Sequence, residues 1–291
     1  MNAVTVIGLG AMGSALATAF LNKGRRLTIW NRTEKKAERI AAKGAAVAKT
    51  PADAFAASGV TVVCVDNYDV LFELLKTEGC SKSIEGKTVI QLSTGAPHEA
   101  RNAESILHAH RANYLDGAIL AYPEGIGADE TAILVSGEEA VFLQCESLLR
   151  DLAGGITFVG PNIGNAAALD SAALSAVIGL YAGFLHGAAI CEKENLPVLE
   201  YGQMIAEQMP VAAAGVLQLS ERITSASFND TQASLRTYAA VARRLLIHAD
   251  TSRINSSFPE YASKIFSRGE SKGLGEKDLA ALIGVFRENS P

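Results

Sequence analysis

One carboxylate, Asp170, is the only charge between Ile163 and Cys191 in the stretch IGNAAALDSAALSAVIGLYAGFLHGAAIC. A carboxyl group without a basic neighbour in an apolar run suits two kinds of chemistry. It can hand over a proton when burial raises its pKa, or it can hold a cation. A second pattern lies near the N-terminus, where Gly8-Leu9-Gly10-Ala11-Met12-Gly13 follows a β-branched run and opens a helix-compatible stretch. The G-x-G-x-x-G spacing in that context provides a tight turn, an open backbone for a pyrophosphate and close helix–strand packing, so it reads as a dinucleotide site. The anion is then held by the N–H groups and positive dipole of the helix N-terminus.

The residues closing the second strand choose the dinucleotide. An NAD site usually places an acid there to bind the ribose 2′-hydroxyl. Here Asn31 stands in its place, which removes repulsion of a 2′-phosphate, Arg32 offers a fork of donors and Thr33 a hydroxyl. Lys36 adds charge from the next helical turn, so NADPH/NADP is expected rather than NAD. The alternative is that Arg32 and Lys36 belong to a solvated face. Val65, Asp66 and Asn67 close the third strand, and Ser93 and Thr94 the fourth. Strand ends line the ligand crevice of a doubly wound sheet, so these five are expected near the nicotinamide, although their polar groups also suit loop caps.

Strands are expected over 3–8, 27–30, 60–65, 88–93, 112–119, 131–137 and 155–160, with room for helices between them. That alternation predicts an α/β Rossmann-type, doubly wound parallel sheet. From about 160 onward the pattern is helical: 163–193, 199–226 with an interruption near Pro210, 231–249, 259–268 and 276–288. The expected organisation is therefore a dinucleotide-binding domain over 1–160 and an all-α domain over 161–291, joined by a long interdomain helix at about 163–193. That helix has 21 residues without a charge from Ser171 to Cys191. It is rich in small residues and has no basic residue near its N-terminal end, so a helix buried on nearly all sides is expected in preference to a membrane span. Gly179, Gly183 and Gly187 recur along one side and suit close approach by another helix.

A net charge of −5 disfavours nucleic acid or an anionic membrane as partner. The four cysteines are widely spaced, as expected of reduced thiols in the cytoplasm, and the N-terminus has neither a secretory nor a transit pattern. No metal site is expected. His186 has no second ligand at metal spacing and reads as a satisfied core residue. Asp170 itself has a structural alternative, a backbone hydrogen bond or a pair with Arg236 or Arg243.

GLGAMG, NRT, LSTGAP, YLDGAILAYPEGIG (114–127) and GNAAALD (164–170) together resemble the β-hydroxyacid dehydrogenase superfamily, and within it most closely the NADPH-dependent imine reductases and reductive aminases. The hydroxyacid dehydrogenases place a lysine where Asp170 stands and a Ser-Gly-Gly turn where this chain has Leu120-Ala121-Tyr122. Both changes remove groups suited to an anionic substrate, and a carboxylate in an apolar pocket suits an iminium. The resemblance thus implies hydride transfer from NADPH to a C=N carbon, with Asp170 stabilising or protonating the iminium. It also implies a small imine, or a ketone and amine, as substrate, and a domain-swapped homodimer. Fungal reductive aminases carry an asparagine at the position of Thr94 and a tyrosine at that of Ile178. Besides Thr94 and Ile178, the substrate pocket is expected to draw on Leu120, Ala121, Tyr122, Leu174, Tyr181 and Tyr238. Two other readings stay open at this stage, a hydroxyacid or carbonyl oxidoreductase on the same fold and a non-catalytic NADPH-binding protein.

Overall fold

The structure is a computed structural model and describes residues 2–288. The chain divides into one unit that ends at Ser175 and a second that begins at Ala176. The first unit is built on eight strands: β1 (Ala3–Ile7), β2 (Arg26–Trp30), β3 (Ala46–Val47), β4 (Val60–Val63), β5 (Thr88–Gln91), β6 (Asn113–Ile119), β7 (Ala132–Gly137) and β8 (Gly155–Phe158). They form one sheet in the order β3-β2-β1-β4-β5-β6-β7-β8. Interleaved helices are α1 (Ala11–Asn22), α2 (Lys35–Ala41), α3 (Pro51–Ala56), α4 (Tyr68–Lys76), α5 (Cys80–Ser83), α6 (Pro97–Ala109) and α7 (Glu139–Leu149).

The central strands are short β-branched runs buried on both faces, as a sheet covered by helices on each side requires. Alternate residues feed two separate cores. On one face Val6, Val62, Ile90 and Leu115 pack with Leu16 and Phe20 of α1 and Leu148 of α7. On the other, Ile7, Val63 and Val89 pack with Phe55 of α3, Leu71 of α4 and Leu107 of α6.

Two features depart from the sequence expectation of seven strands in a parallel sheet: one reversed pairing and one added strand. β6 and β7 pair antiparallel, because the connection between them holds only a 3₁₀ turn at Pro123–Gly125 and lacks the helix of a parallel crossover. β3 is an added edge strand of two exposed residues, too short to leave a periodic signal.

The long helix is α8 (Asn165–Lys193), followed by α9 (Val198–Ser225), α10 (Leu235–Ser252), α11 (Ser257–Ser271) and α12 (Ile283–Phe286). α9 continues through Pro210, where an interruption was expected. Losing one backbone donor does not end a helix of seven turns. The expected helix over 276–288 is instead a 3₁₀ turn, Leu279–Leu282, running into α12. Asp278 caps that turn through the Ala280 N–H, at 2.9 Å.

The burial expected for α8 is not met within the chain. Leu174, Val177, Ile178, Leu180, Tyr181 and Leu185 are all exposed, and α9 has no buried residue. By length and composition α8 could cross a membrane, and it is the one such helix among the described residues. At Gly183 and Gly187 α8 takes aromatic rings rather than another backbone, while around Gly179 nothing lies within 4 Å. A Cβ on Gly183 would stand 3.3 Å from Phe258, and one on Gly187 would overlap the Tyr201 hydroxyl. His186, expected to be satisfied, lies tilted against Phe258 with ring centroids 5.6 Å apart, while its Nε2 finds no hydrogen-bond partner among the described residues. Burial, and then the neighbouring His248, lower its pKa and favour the neutral ring.

Candidate active site

The glycine loop links β1 to α1. Gly8 has φ +96°, and a Cβ there would lie 2.1 Å from the Cys64 carbonyl oxygen. A Cβ on Gly13 would lie 2.0 Å from the Gly8 oxygen, which accounts for the third glycine as a packing requirement. Around Gly10 nothing lies within 4 Å of the corresponding position, so its backbone is open to a ligand. No side chain caps α1, which leaves its first N–H groups directed at the loop mouth. These differences separate two substitutions. Gly13→Ala should lower stability by about 1–3 kcal/mol or prevent folding through overpacking. Gly10→Ala should keep the thermal midpoint within a few degrees while weakening NADPH binding by about tenfold or more, as read by fluorescence titration.

The loop borders a cleft of about 610 Å³. Gly8 to Gly13, Asn31, Arg32, Thr33, Lys36, Val65 and Asp66 all line it, so the structure brings these sequence-predicted positions together. Asn31 has a more specific part than an absent charge. Its Oδ1 accepts the Leu9 N–H at 2.9 Å and its Nδ2 donates to the Thr33 carbonyl at 3.0 Å. An aspartate could accept the first bond but not donate the second, so the amide ties the glycine loop to the turn carrying Arg32 and Thr33. Neither Arg32 nor Lys36 makes an ion pair among the described residues.

A smaller cavity of about 190 Å³ adjoins the cleft and shares Met12, Cys64, Val65 and Asp66 with it. Ser93, Thr94 and Asp170 add to its polar lining, and Leu92, Ala118 and Ile119 to its apolar lining. Ser93 joins two strand ends by accepting the Val65 N–H at 2.8 Å. Asp170, the sixth residue of α8, is 7% exposed and has no ion-pair partner among the described residues. Arg236 and Arg243 are paired with Glu276 and Glu270, each at 2.7 Å, so neither neutralises it. Burial raises the Asp170 pKa from its ordinary value. Cys64 lies in both cavities, but burial and then Asp66 push its thiol up to about 12, which disfavours the nucleophilic thiolate.

Not every expected residue joins these cavities. Asn67 instead caps α4, accepting the Val70 N–H at 3.1 Å. Its carboxamide oxygen is thereby committed to the helix end. Leu120, Ala121 and Tyr122 follow β6 outside the Asp170 cavity, with Tyr122 69% exposed. Leu174 is exposed one turn beyond Asp170, while Ile178, Tyr181 and Tyr238 belong to the second unit.

A buried polar cluster escaped the sequence reading. Asp116, at 1% exposure on β6, accepts hydrogen bonds from the Tyr68 and Tyr114 hydroxyls, the latter at 3.1 Å. Burial outweighs these bonds and raises its pKa to about 7. The available signal was the carboxylate at an inward strand position beside Leu115, within the quoted segment YLDGAI.

The sheet, the glycine cleft and the adjoining acidic cavity define the class: a dinucleotide-dependent oxidoreductase with a helical C-terminal part. Residues 3–160 match the NAD binding domain of 6-phosphogluconate dehydrogenase, and residues 162–288 match the NADPH-dependent reductive aminase-like C-terminal domain. An imine reductase from Myxococcus stipitatus, solved in complex with NADP+, is similar with a TM-score of 0.94 and 35% identity, over 98% of this chain and 100% of that one. A reductive aminase from Aspergillus terreus, solved with NADPH4, cyclohexanone and allyl amine, gives 0.92 and 30%, over 98% and 99%. The NADPH-dependent reductive aminase of Aspergillus oryzae is 27% identical over 98% of this chain and 97% of its own length. The chain belongs to the imine reductase and reductive aminase family and is an NADPH-dependent oxidoreductase.

Proposed function

We propose that the protein reduces the C=N bond of small, largely apolar imines by hydride transfer from NADPH, with Asp170 as the acid that activates the nitrogen. The observation that carries this reading is the isolated, buried Asp170 in a cavity continuous in its lining with the dinucleotide cleft. The glycine loop and α1 would hold the pyrophosphate, while Arg32, Thr33 and Lys36 would hold the 2′-phosphate. NADPH, when bound, supplies the hydride. Protonated Asp170 gives its proton to the imine nitrogen, and the carboxylate left behind faces the iminium it has created. Its raised pKa supports the donor role, because more of the group remains protonated toward neutral pH. No basic side chain in the Asp170 cavity would hold a substrate carboxylate, which disfavours a hydroxyacid. NADPH consumption with a cyclic imine, a ketone plus amine, and a hydroxyacid with NADP+ tests the reading. The imine should be turned over, and activity confined to the hydroxyacid would reject it.

The same reading includes a homodimer that covers α8 and α9. Their exposed Leu, Ile, Val and Met side chains form far more apolar surface than a monomeric helix pair leaves in water. Size-exclusion chromatography with light scattering should give twice the chain mass, and a stable monomer in detergent-free buffer would oppose it. The four free cysteines suit a cytoplasmic location.

A further inference from the structure

The buried polar groups around Asp116 lie in a row across the sheet. Gln91 on β5, Asp116 on β6 and Ser136 on β7 are register partners, and lateral partners share a face. All three are buried at 0–1% exposure. The row sits beneath the start of α8. The Ser136 hydroxyl donates to the Ile163 carbonyl at 2.7 Å and accepts the Ala166 N–H at 3.2 Å. The Ala167 N–H approaches the Asp116 carboxyl and favours its charged form. Two backbone donors that helix geometry leaves unsatisfied are therefore taken by side chains of the sheet. Asp170 stands one turn further along the same helix.

Core packing does not explain this row. Apolar residues of similar volume would be at least as stabilising as a buried carboxyl with no basic partner. Neither amide atom of Gln91 finds a hydrogen-bond partner among the described residues, which adds to the cost. The donor count favours a carboxylate over an amide: Tyr68, Tyr114 and the Ala167 N–H all address Asp116, whereas an asparagine has one acceptor oxygen and two donors of its own.

We propose that Asp116 is a positioning residue, which together with Ser136 anchors the opening turn of α8 to the sheet and so fixes the direction of the Asp170 carboxyl. This rests on Asp170 being the acid of the reaction. The two carboxyls are also coupled through charge, since Asp170 contributes to the rise on Asp116. The other titratable groups facing Asp116 are Tyr68 of α4 and Tyr114 of β6, both pushed upward and neutral, while Glu99 of α6 acts on Tyr68. Within this cluster Asp116 is therefore the group whose charge changes around neutrality.

The test compares Asp116→Asn, Tyr68→Phe, Ser136→Ala and Asp170→Asn in the full-length, NADPH-loaded enzyme with a cyclic imine. Asp116→Asn should lower kcat by about 10–10²-fold through misplacement of the acid, leaving the NADPH Kd and the imine KM within about twofold. Asp170 takes no rise from Asp116 in return, so the limb on which kcat falls with rising pH should stay in place. Ser136→Ala should lower kcat by about threefold without moving that limb. A folded Asp116→Asn enzyme with wild-type kcat would overturn the proposal. If that variant does not fold, the kcat of Tyr68→Phe and Ser136→Ala decides, and wild-type values in both would overturn it. Asp170→Asn separates the two levels. Full activity there removes the acid itself, whereas loss there with full activity in Asp116→Asn removes only the positioning.

Discussion

Replacing Asp170 with asparagine should lower kcat for imine reduction by about 10²-fold or more, the usual range for losing a positioned acid. NADPH affinity should stay within about twofold, because the cleft around Gly8 to Gly13 and Arg32 does not include Asp170. Asparagine keeps the size of the side chain, so a change of fold is not the expected cause. The pH profile gives a second readout. Burial raises the Asp170 pKa, so the proton-bearing form persists to higher pH than for an ordinary carboxyl, and kcat should fall as pH rises through that raised value. The variant should lose this limb. Stopped-flow single turnovers, which separate hydride transfer from product release, are the measurement to use. A wild-type rate in the variant would remove Asp170 from the chemistry, and a rate rising through the same limb would make its carboxylate, not its acid form, the active species.

The second large effect lies at the other end of the cofactor. The double replacement of Arg32 and Lys36 by alanine should cut kcat/KM for NADPH by about 10²-fold, since charge-assisted bonds to a phosphate contribute about 1.5–3 kcal/mol each. The value for NADH should change by less than about threefold, because that cofactor lacks the 2′-phosphate. Thermal stability should hold, because neither side chain is engaged in an ion pair among the described residues. Equal losses with both cofactors would place the two cations on a merely solvated face. Asn31 behaves differently. Its bonds to Leu9 and Thr33 shape the loop itself, so Asn31→Ala should weaken both cofactors alike.

Why some of this was readable from the chain and some was not follows from the range of each interaction. The glycine loop was legible because its requirements are local: Gly8 must take φ +96°, and Gly13 must lie against the Gly8 carbonyl five residues away. The parallel strands were legible because a strand buried on both faces must be a short apolar run, as at Val60–Val63. The reversal at β7 depended on a connection without a helix, and the two-residue β3 on pairing with β2, so neither left a pattern of its own. Asp170 stood out as a lone charge in an apolar helix. Asp116 did not, because its meaning arises only when Tyr68, 48 residues away, and the start of α8 converge on it. The exposed flank of α8 was misread as core for a related reason. Apolar composition demands a cover, but it does not say that the cover belongs to the same chain.

The central claim is hydride delivery to an imine carbon, and isotope transfer tests it most directly. The enzyme is given a cyclic imine and NADPH carrying deuterium at both C4 positions, and the amine formed is analysed by mass spectrometry. The account predicts one deuterium on the former C=N carbon of the amine, with product formation largely lost in Asp170→Asn. Absence of amine product from the wild-type enzyme, or amine without the label, would contradict it.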